Sequence, residues 1–239
     1  MVHLVLVHGA WHGPWCWKRL LPHLNEAGMV CHTPCLAGLG ERAAEPPEAI
    51  NLSTHVNEVV GLLLSRNLQN VVLVGHSYAG IVATRVAEQL PERVSTLIYM
   101  DSFVPQPGTA LLDLVDSAER DKLREVARHR GGVIPPFPPA AYGVHDPQDA
   151  AWLNERLTPM PLQCFEERAM FKPQRLKAIR QVYIRATAGG QPDRFGRFAR
   201  DFAGRHDVAY FEVPSGHDMM LTHPRQTARI LLDECARVK

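Results

Sequence analysis

Short apolar runs alternate with segments of helical periodicity along most of the chain. The runs are nearly continuous, which is typical of parallel strands buried on both faces, and they fall at residues 2–7, 29–33, 71–74, 94–100, 182–186 and 208–213. Apolar residues between them recur at helical spacing and predict helices at about 14–28, 53–66, 81–90, 195–203 and 224–238. Pro14 and Gly28 suit the ends of the first helix, and Ser53 suits the cap of the second. This order predicts an α/β fold with a doubly wound, mostly parallel sheet.

The pattern changes between residues 105 and 173. Proline and glycine cluster at 131–139, and only short helices are predicted, at 110–130, 149–157 and 162–170. The strand pattern resumes after this segment. We therefore expect 105–173 to form an inserted lid on a core made of residues 1–104 and 174–239. A chain of 239 residues is long enough for one such domain.

The run at 71–74 leads directly into the sequence G-H-S-Y-A-G at residues 75–80. A serine at a sharp strand-to-helix turn exposes its hydroxyl at the carboxyl edge of the sheet. Gly75 and Ala79 are small, as a close crossing of strand and helix requires, and the helix that follows directs its free N–H groups and positive dipole end at the turn. Ala79 stands where the strict motif has a second glycine, so the pattern alone also fits an ordinary strand–turn–helix. The buried strand before it and the amphipathic helix after it favour Ser77 as a nucleophile.

A serine nucleophile needs a base, and His217 is the best placed of the 12 histidines. It lies in a loop directly after the last predicted strand, at the edge of the sheet where Ser77 is expected. We interpret His76, His206 and His223 as structural or surface histidines.

Composition narrows the function classes. A net charge of +1 gives no reason to expect a nucleic acid or an anionic membrane as partner. No apolar run approaches the roughly 20 residues of a membrane span. The chain enters its first strand without a basic segment or cleavage site, so we expect no signal peptide and a cytoplasmic protein. The five cysteines are an odd number and are expected to be free thiols.

Four stretches together resemble the α/β-hydrolase superfamily, and in particular the small esterases related to plant methylesterases and hydroxynitrile lyases. They are residues 6–17, 36–42, 75–80 and the pair Gly216-His217. The resemblance implies an oxyanion hole formed by the backbone N–H groups of Ala10 and Tyr78, and no cofactor. It also suggests a substrate pocket that includes Gly9, Trp11, His12, Phe103 and Trp152. His12 either lines this pocket or braces the loop, and we favour bracing.

The chain departs from the family at the acid of the catalytic triad. The usual acid follows the strand at 182–186, but the matching residue here is Ala188 or Gly189. Asp193 is expected to cap the next helix, and the side chain of Asp218 to point away from His217. Asp101 ends the strand at 94–100 and could hold the imidazole of His217 in the correct tautomer. A turn or cap role for Asp101 is the alternative of equal weight.

The sequence favours a serine carboxylic-ester hydrolase that acts on a small, fairly apolar ester through an acyl-enzyme. One alternative is a hydroxynitrile-lyase-like carbon–carbon lyase, although the related lyases have a threonine in place of Gly9 and a lysine in place of Asp218. A non-hydrolytic ligand-binding member of the fold is another. We expect no metal, because His8 and His12 lie in a glycine-containing loop. The ester could be a methyl ester, an aryl ester or a lactone, and a homodimer stays open.

Overall fold

Parallel strands form the centre of the molecule. The structure is a computed structural model that describes residues 2–188 and 193–238. Its main sheet contains β1 (His3–Val7), β2 (Val30–His32), β3 (Val71–His76), β4 (Val94–Met100), β7 (Arg180–Ala186) and β8 (Ala209–Val213). The order across the described sheet is β2-β1-β3-β4-β7-β8, and every pairing is parallel. The predicted α/β fold is therefore confirmed.

Helices flank this sheet, and several of them lie in the segment between β4 and β7. In the described residues the α-helices are α1 (Leu21–Glu26), α2 (Leu52–Ser65), α3 (Ala79–Gln89), α4 (Ser117–Arg128), α5 (Pro147–Asn154), α6 (Gln163–Glu166), α7 (Gly196–Ala203), α8 (Met219–Thr222) and α9 (Pro224–Cys235). Residues 105–173 contain α4, α5, α6 and a small antiparallel pair, β5 (Val133–Ile134) and β6 (Met160–Pro161). None of the helices in the described ranges is long and apolar enough to cross a bilayer.

The cap of helix α2 lies two residues earlier than the cap predicted from sequence. Asn51 has an extended backbone, so its side chain can accept a hydrogen bond from the Thr54 N–H (2.9 Å), and Thr54 Oγ1 accepts one from the Asn51 N–H (3.3 Å). This reciprocal pair is a capping box. Ser53 lies inside the helix and donates both its N–H and its hydroxyl to Glu167, which ties α2 to the inserted segment.

Two other predicted helices are shorter because local turns interrupt them. The one expected at 14–28 is a 3₁₀ turn, Pro14–Trp17, followed by α1, and Gly28 adopts a φ of 75° just after its end. The one expected at 110–130 begins only at Ser117, where Asp116 accepts a hydrogen bond from the Glu119 N–H (2.8 Å) and caps α4.

The crossing of β3 and α3 positions the candidate nucleophile. All six residues of β3 are buried between β1 and β4. A Cβ added at Gly75 would overlap the backbone of Ala79, so the first turn of α3 contacts the strand directly. The predicted requirement for small residues at this crossing is confirmed. The five cysteines are free thiols, as expected.

Two buried histidines outside the candidate site are hydrogen bonded as neutral rings. His8 accepts from the Leu36 N–H (3.2 Å) and contacts Gly9 O (3.0 Å), and His55 lies between the Tyr78 hydroxyl and Ala37 O (both 2.9 Å). Burial lowers the pKa of His8 to about 3 and that of His55 to about 4. Since the unfolded value is about 6.5, both stabilise the fold above that pH and lose this effect as the pH falls toward the folded values.

We therefore expect acidification to destabilise the protein. Between about pH 7 and about pH 5, each of the two histidines should lower the free energy of unfolding by about 2 kcal/mol. Urea unfolding at a series of pH values measures this loss. His8→Gln should be less stable at neutral pH but show a shallower dependence, because one of the two titrations is gone. An unchanged slope in this variant would contradict the role given to His8.

Candidate active site

Three elements of the main sheet bring Ser77, Asp101 and His217 to one edge. Ser77 and Asp101 follow β3 and β4, and His217 lies in the loop after β8. Ser77 has a φ of 56° and Asp101 a φ of 40°, which are strained values for residues with a Cβ. Strain of this kind persists only where the surroundings hold it. Here the neighbouring strand ends supply that support.

The turn at Ser77 is held by its backbone. The Ser77 N–H donates to Met100 O (3.2 Å), and Ser77 O accepts from the Ser102 hydroxyl (2.7 Å) and the Phe103 N–H (3.2 Å). A Cβ added at Gly80 would overlap Ser102 Oγ. The chain after β4 therefore packs tightly against the start of α3 and holds the serine in its strained conformation.

Asp101 contacts His217 as we expected from its position. The Asp101 Oδ2 atom accepts a hydrogen bond from His217 Nδ1 (2.7 Å). The other oxygen, Oδ1, accepts from the Ala186 N–H (3.2 Å) and from Arg185 (2.8 Å). The carboxylate is only 2% exposed, so it has little room to turn away. This arrangement can keep the proton on Nδ1 and leave Nε2 as the basic atom.

Aromatic rings pack closely against the ring of His217. Phe195 stacks on it with a centroid distance of 4.7 Å and an interplanar angle of 4°, and the centroid of the tilted His76 ring lies 4.5 Å away. Burial, with additional repulsion from His217 and His12, holds the pKa of His76 well below its usual value. His76 is therefore a neutral structural group, which agrees with its predicted role.

His12 and Asp218 form a buried pair behind the candidate site. Asp218 Oδ2 accepts from His12 Nε2 (3.0 Å), and Ala10 O accepts from His12 Nδ1 (2.8 Å). Burial alone would lower the pKa of His12, but the Asp218 carboxylate outweighs it and raises the pKa. The ring is then an imidazolium with both N–H groups used. It braces the Ala10 loop against the His217 loop, and the Asp218 carboxylate hydrogen-bonds to His12, whereas His217 hydrogen-bonds to Asp101.

A cavity of about 320 Å³ opens in front of Ser77 and His217, and both side chains line it. No hydrogen bond joins the two side chains in the described part of the structure, and catalytic hydrogen bonds are often long without substrate. The aromatic side chains that line the cavity, besides His217, are those of Trp11, Tyr78, Phe103, Phe137, Tyr142, Phe165 and Phe195. Trp11 and Phe103 belong to the pocket suggested by the sequence.

Three residues of the suggested pocket lie outside the lining of this cavity in the described structure, namely Gly9, His12 and Trp152. Gly9 packs behind the nucleophile, where an added Cβ would lie 2.9 Å from Ser77 Cβ. His12 is engaged by Asp218, as described above. Trp152 packs edge-on against Trp15, with ring centroids 5.4 Å apart. Each of the three is held by contacts that its position in sequence does not reveal.

The region after β7 does not provide the family's usual acid. Ala188 has no carboxylate, and its N–H donates to Ser215 O (2.9 Å). Gly189 lies outside the described residues. Asp193 Oδ1 accepts from the N–H groups of Phe195 (3.3 Å) and Gly196 (2.8 Å) at the start of α7, as expected for a capping residue.

Two glycines form a contact that sequence reasoning missed. Gly143 in the inserted segment and Gly216 beside His217 are so close that an added Cβ on either would overlap the other's backbone. The Asp218 N–H also donates to Tyr142 O (3.0 Å). The inserted segment therefore rests on the loop that carries His217.

One group of side chains in the described residues has the spacing of metal ligands. Ligand atoms of His76, His217 and Asp218 lie within 4.8 Å of one another. However, His217 Nδ1 contacts Asp101, Asp218 Oδ2 contacts His12, and His76 Nε2 contacts His217 O at 3.2 Å. The donors fit a hydrogen-bond network better than a metal centre.

The chain belongs to the alpha/beta hydrolase family, whose model matches residues 4–230. It is similar to the carbendazim hydrolyzing esterase of Nocardioides sp. (strain SG-4G), with 34% identity over 97% of this chain and 98% of that protein. It is also 34% identical to methylesterase 1 of Arabidopsis thaliana, over 43% of this chain and 40% of that protein. The resemblance drawn from sequence is confirmed.

Solved structures agree on the fold. An extracellular alpha/beta-hydrolase from a Paenibacillus species matches 98% of both chains with a TM-score of 0.83 and 19% identity. A methylesterase from Arabidopsis matches with a TM-score of 0.76 and 22% identity. At this identity the likeness supports the shared fold, whereas the similarity of sequence to esterases supports an esterase function.

The contact between Gly143 and Gly216 predicts a specific loss of ester hydrolysis. Gly143→Ala should lower turnover by about a hundredfold, because the added methyl group displaces the His217 loop and small misplacements cost that much. Gly132→Ala is the matched control, since its φ of 81° resembles the 73° of Gly143 but no atom lies near its added Cβ. Both variants should lose about 1 kcal/mol of stability from backbone strain. Equal turnover in the two would show that the contact is unimportant.

Proposed function

We propose that this protein is a serine carboxylic-ester hydrolase that acts on a small, fairly apolar ester through an acyl-enzyme. The observation that carries the proposal is the 2.7 Å hydrogen bond between Asp101 and His217, beside a cavity that Ser77 also lines. A strained serine, an imidazole and a buried carboxylate at one sheet edge are the parts of a nucleophilic triad. The similarity to an esterase over nearly the full chain supports the same activity.

Each residue of the triad has one task. Ser77 Oγ attacks the ester carbonyl while His217 Nε2 takes its proton, and the imidazolium then donates that proton to the leaving alcohol. Water enters and loses a proton to His217, and its attack on the acyl-enzyme releases the carboxylate and restores Ser77. Asp101 stays ionised throughout and stabilises the imidazolium from the Nδ1 side.

The oxyanion hole is assigned to the backbone N–H groups of Ala10 and Tyr78. Among the described residues, no backbone hydrogen bond outside the helices and strands has the N–H of Ala10 or of Tyr78 as its donor. His12 donates a hydrogen bond to Ala10 O and so fixes the peptide that follows Ala10. Tyr78 is fixed because it caps the start of α3. Preorganised donors of this kind are worth roughly 3–4 kcal/mol each in the transition state.

The cavity indicates the kind of ester. Most of its lining is aromatic or aliphatic, and an apolar acyl or alcohol group would bury its surface there. Phe137, Tyr142 and Phe165 come from the segment 105–173, which we interpret as the lid of the active site. An aryl ester would stack on this lining, so we favour aryl over long unbranched alkyl substrates.

The alternatives are less well supported. A carbon–carbon lyase needs a cation beside the leaving group, but the residue after His217 is Asp218, and it is paired with His12. The ligand-binding alternative rested on the missing acid at residues 188–189. The hydrogen bond between Asp101 and His217 supports Asp101 as the acid of the triad, and this weakens the ligand-binding alternative.

Loss of the nucleophile or the base should abolish turnover. Ser77→Ala and His217→Ala should each lower kcat by about a million-fold on a short aryl ester, and the double variant should be little worse because the two act as a unit. A serine-directed phosphonate should label Ser77 in the wild type and react slowly with His217→Ala. Hydrolysis unchanged in Ser77→Ala would remove Ser77 from the mechanism.

Asp101→Asn should lower kcat by about 10⁴-fold while the fold persists, because the wrong tautomer of His217 is then favoured. Thermal unfolding checks the fold. Asp193→Asn is the matched control: its amide oxygen can still accept the hydrogen bonds at the start of α7, so kcat should fall by less than about tenfold. If the two variants lost activity equally, Asp101 could not be the triad acid.

A further inference from the structure

Arg185, which extends from β7, bridges two carboxylates beside the triad. Its Nη1 donates to Asp101 Oδ1 (2.8 Å) and its Nη2 donates to Asp193 Oδ1 (2.6 Å). The side chain is only 13% exposed and lines the substrate cavity. Burial alone would lower the pKa of Arg185, but the two carboxylates outweigh it and raise the pKa, so the guanidinium stays charged.

The first carboxylate links Arg185 to one edge of the His217 ring. Asp101 uses Oδ2 for His217 and Oδ1 for Arg185 and the Ala186 N–H. With one oxygen held by two donors, the carboxylate cannot rotate about its last bond. The direction of the hydrogen bond to His217 is thereby set.

The second carboxylate links Arg185 to a face of the same ring. Asp193 Oδ1 accepts from the N–H groups of Phe195 and Gly196 as well as from Arg185. Phe195 stacks in parallel on His217. One guanidinium therefore supports two independent contacts to the imidazole, one through each carboxylate.

We propose that Arg185 is a positioning residue of the active site, which fixes the His217 ring through Asp101 and Phe195 and partly neutralises the carboxylate that the imidazolium faces. This inference rests on the proposed triad. Its electrostatic part predicts that Arg185 sets the pH below which His217 no longer acts as a base.

The charges near His217 decide the sign of the effect. Arg185, Asp101 and Asp193 form one group with a net charge of −1. Asp218 adjoins His217, but the His12 imidazolium balances it. Removing the Arg185 charge leaves two uncompensated carboxylates, which stabilise the imidazolium. Removing the Asp193 charge has the opposite effect, because Arg185 then acts on Asp101 alone.

Other polar groups around the ring do not change this balance. Glu119 and Arg194, which also line the cavity, neutralise each other at 2.7 Å. His76 is neutral because burial lowers its pKa. The nearby phenols belong to Tyr142, Tyr183 and Tyr210. They are neutral on the acidic limb because the ordinary pKa of a phenol is about 10, and burial raises the pKa further here.

The decisive measurement is the pH profile of kcat/KM. In Arg185→Met the acidic limb should move up by about one pH unit, and kcat at the optimum should fall by about 10- to 100-fold. The KM for a neutral ester should change less than about threefold, since the interactions that are lost are those with Asp101 and Asp193 and not with the ester. In Asp193→Asn the limb should move down. Arg185→Lys should keep the limb near the wild-type position but recover kcat only in part, because an ammonium cannot bridge both carboxylates in one plane.

Arg180→Met is the matched control on the same strand. Arg180 forms a similar paired contact with buried Glu234, at 2.6 and 3.1 Å, and Arg237 remains 3.4 Å from that carboxylate. This variant should lose stability without moving the limb. Two results would overturn the proposal. One is an acidic limb that stays in place in both Arg185→Met and Asp193→Asn, and the other is a limb that moves as far in Arg180→Met as in Arg185→Met.

A second measurement does not depend on ester hydrolysis. In the Ser77→Ala background, the titration midpoint of the His217 ring resonances by NMR should rise with Arg185→Met and fall with Asp193→Asn. A His217→Gln spectrum assigns the resonances. If these shifts occur but the wild-type protein hydrolyses no ester, the positioning role of Arg185 stands and the proposed function fails. If activity is present and the shifts are absent, the positioning role fails alone.

Discussion

The hydrogen bond from His217 to Asp101 depends on where parallel strands end. Because β3, β4 and β8 run in the same direction, their following loops meet at one edge, and side chains far apart in sequence converge there. Asp101 reaches His217 only with a left-handed backbone, which the amide of Ala186 and the side chain of Arg185 stabilise. The same edge places the serine turn against the chain after β4. The catalytic arrangement is thus a property of the sheet more than of any single loop.

Buried histidines around this edge divide into two electrostatic kinds. Those whose hydrogen bonds go only to neutral groups, such as His8, His55 and His76, are held neutral by burial. His12 meets a buried carboxylate and is held as a cation. A buried charge is tolerated only when it is paired, and the pair of His12 and Asp218 adds no net charge of its own beside His217.

Local patterns were sufficient to predict the strands of the main sheet, the serine turn and the loop that carries His217, but not the short strands β5 and β6 of the inserted segment. Asp101 was predictable as a contact of His217, since it ends a strand next to β3 and no carboxylate occupies residues 188–189. The roles proposed for Arg185 and Phe195 could not be predicted from the sequence. A charged residue near a strand end is ordinarily assigned to the surface until its partners are known. The pocket residues Gly9, His12 and Trp152 were misplaced for a related reason. A cavity lining depends on the path of the inserted segment, which carries no regular periodicity.

The contact between Gly143 and Gly216 has a mechanical consequence. The backbone of the inserted segment touches the backbone beside His217 without intervening side chains, and Tyr142 O also holds the next amide. A hinge movement that lifted this part of the segment would therefore pull on the loop of the base at the same moment. In the proposed mechanism, a substrate admitted by that route would enter while His217 is displaced from its position for proton transfer.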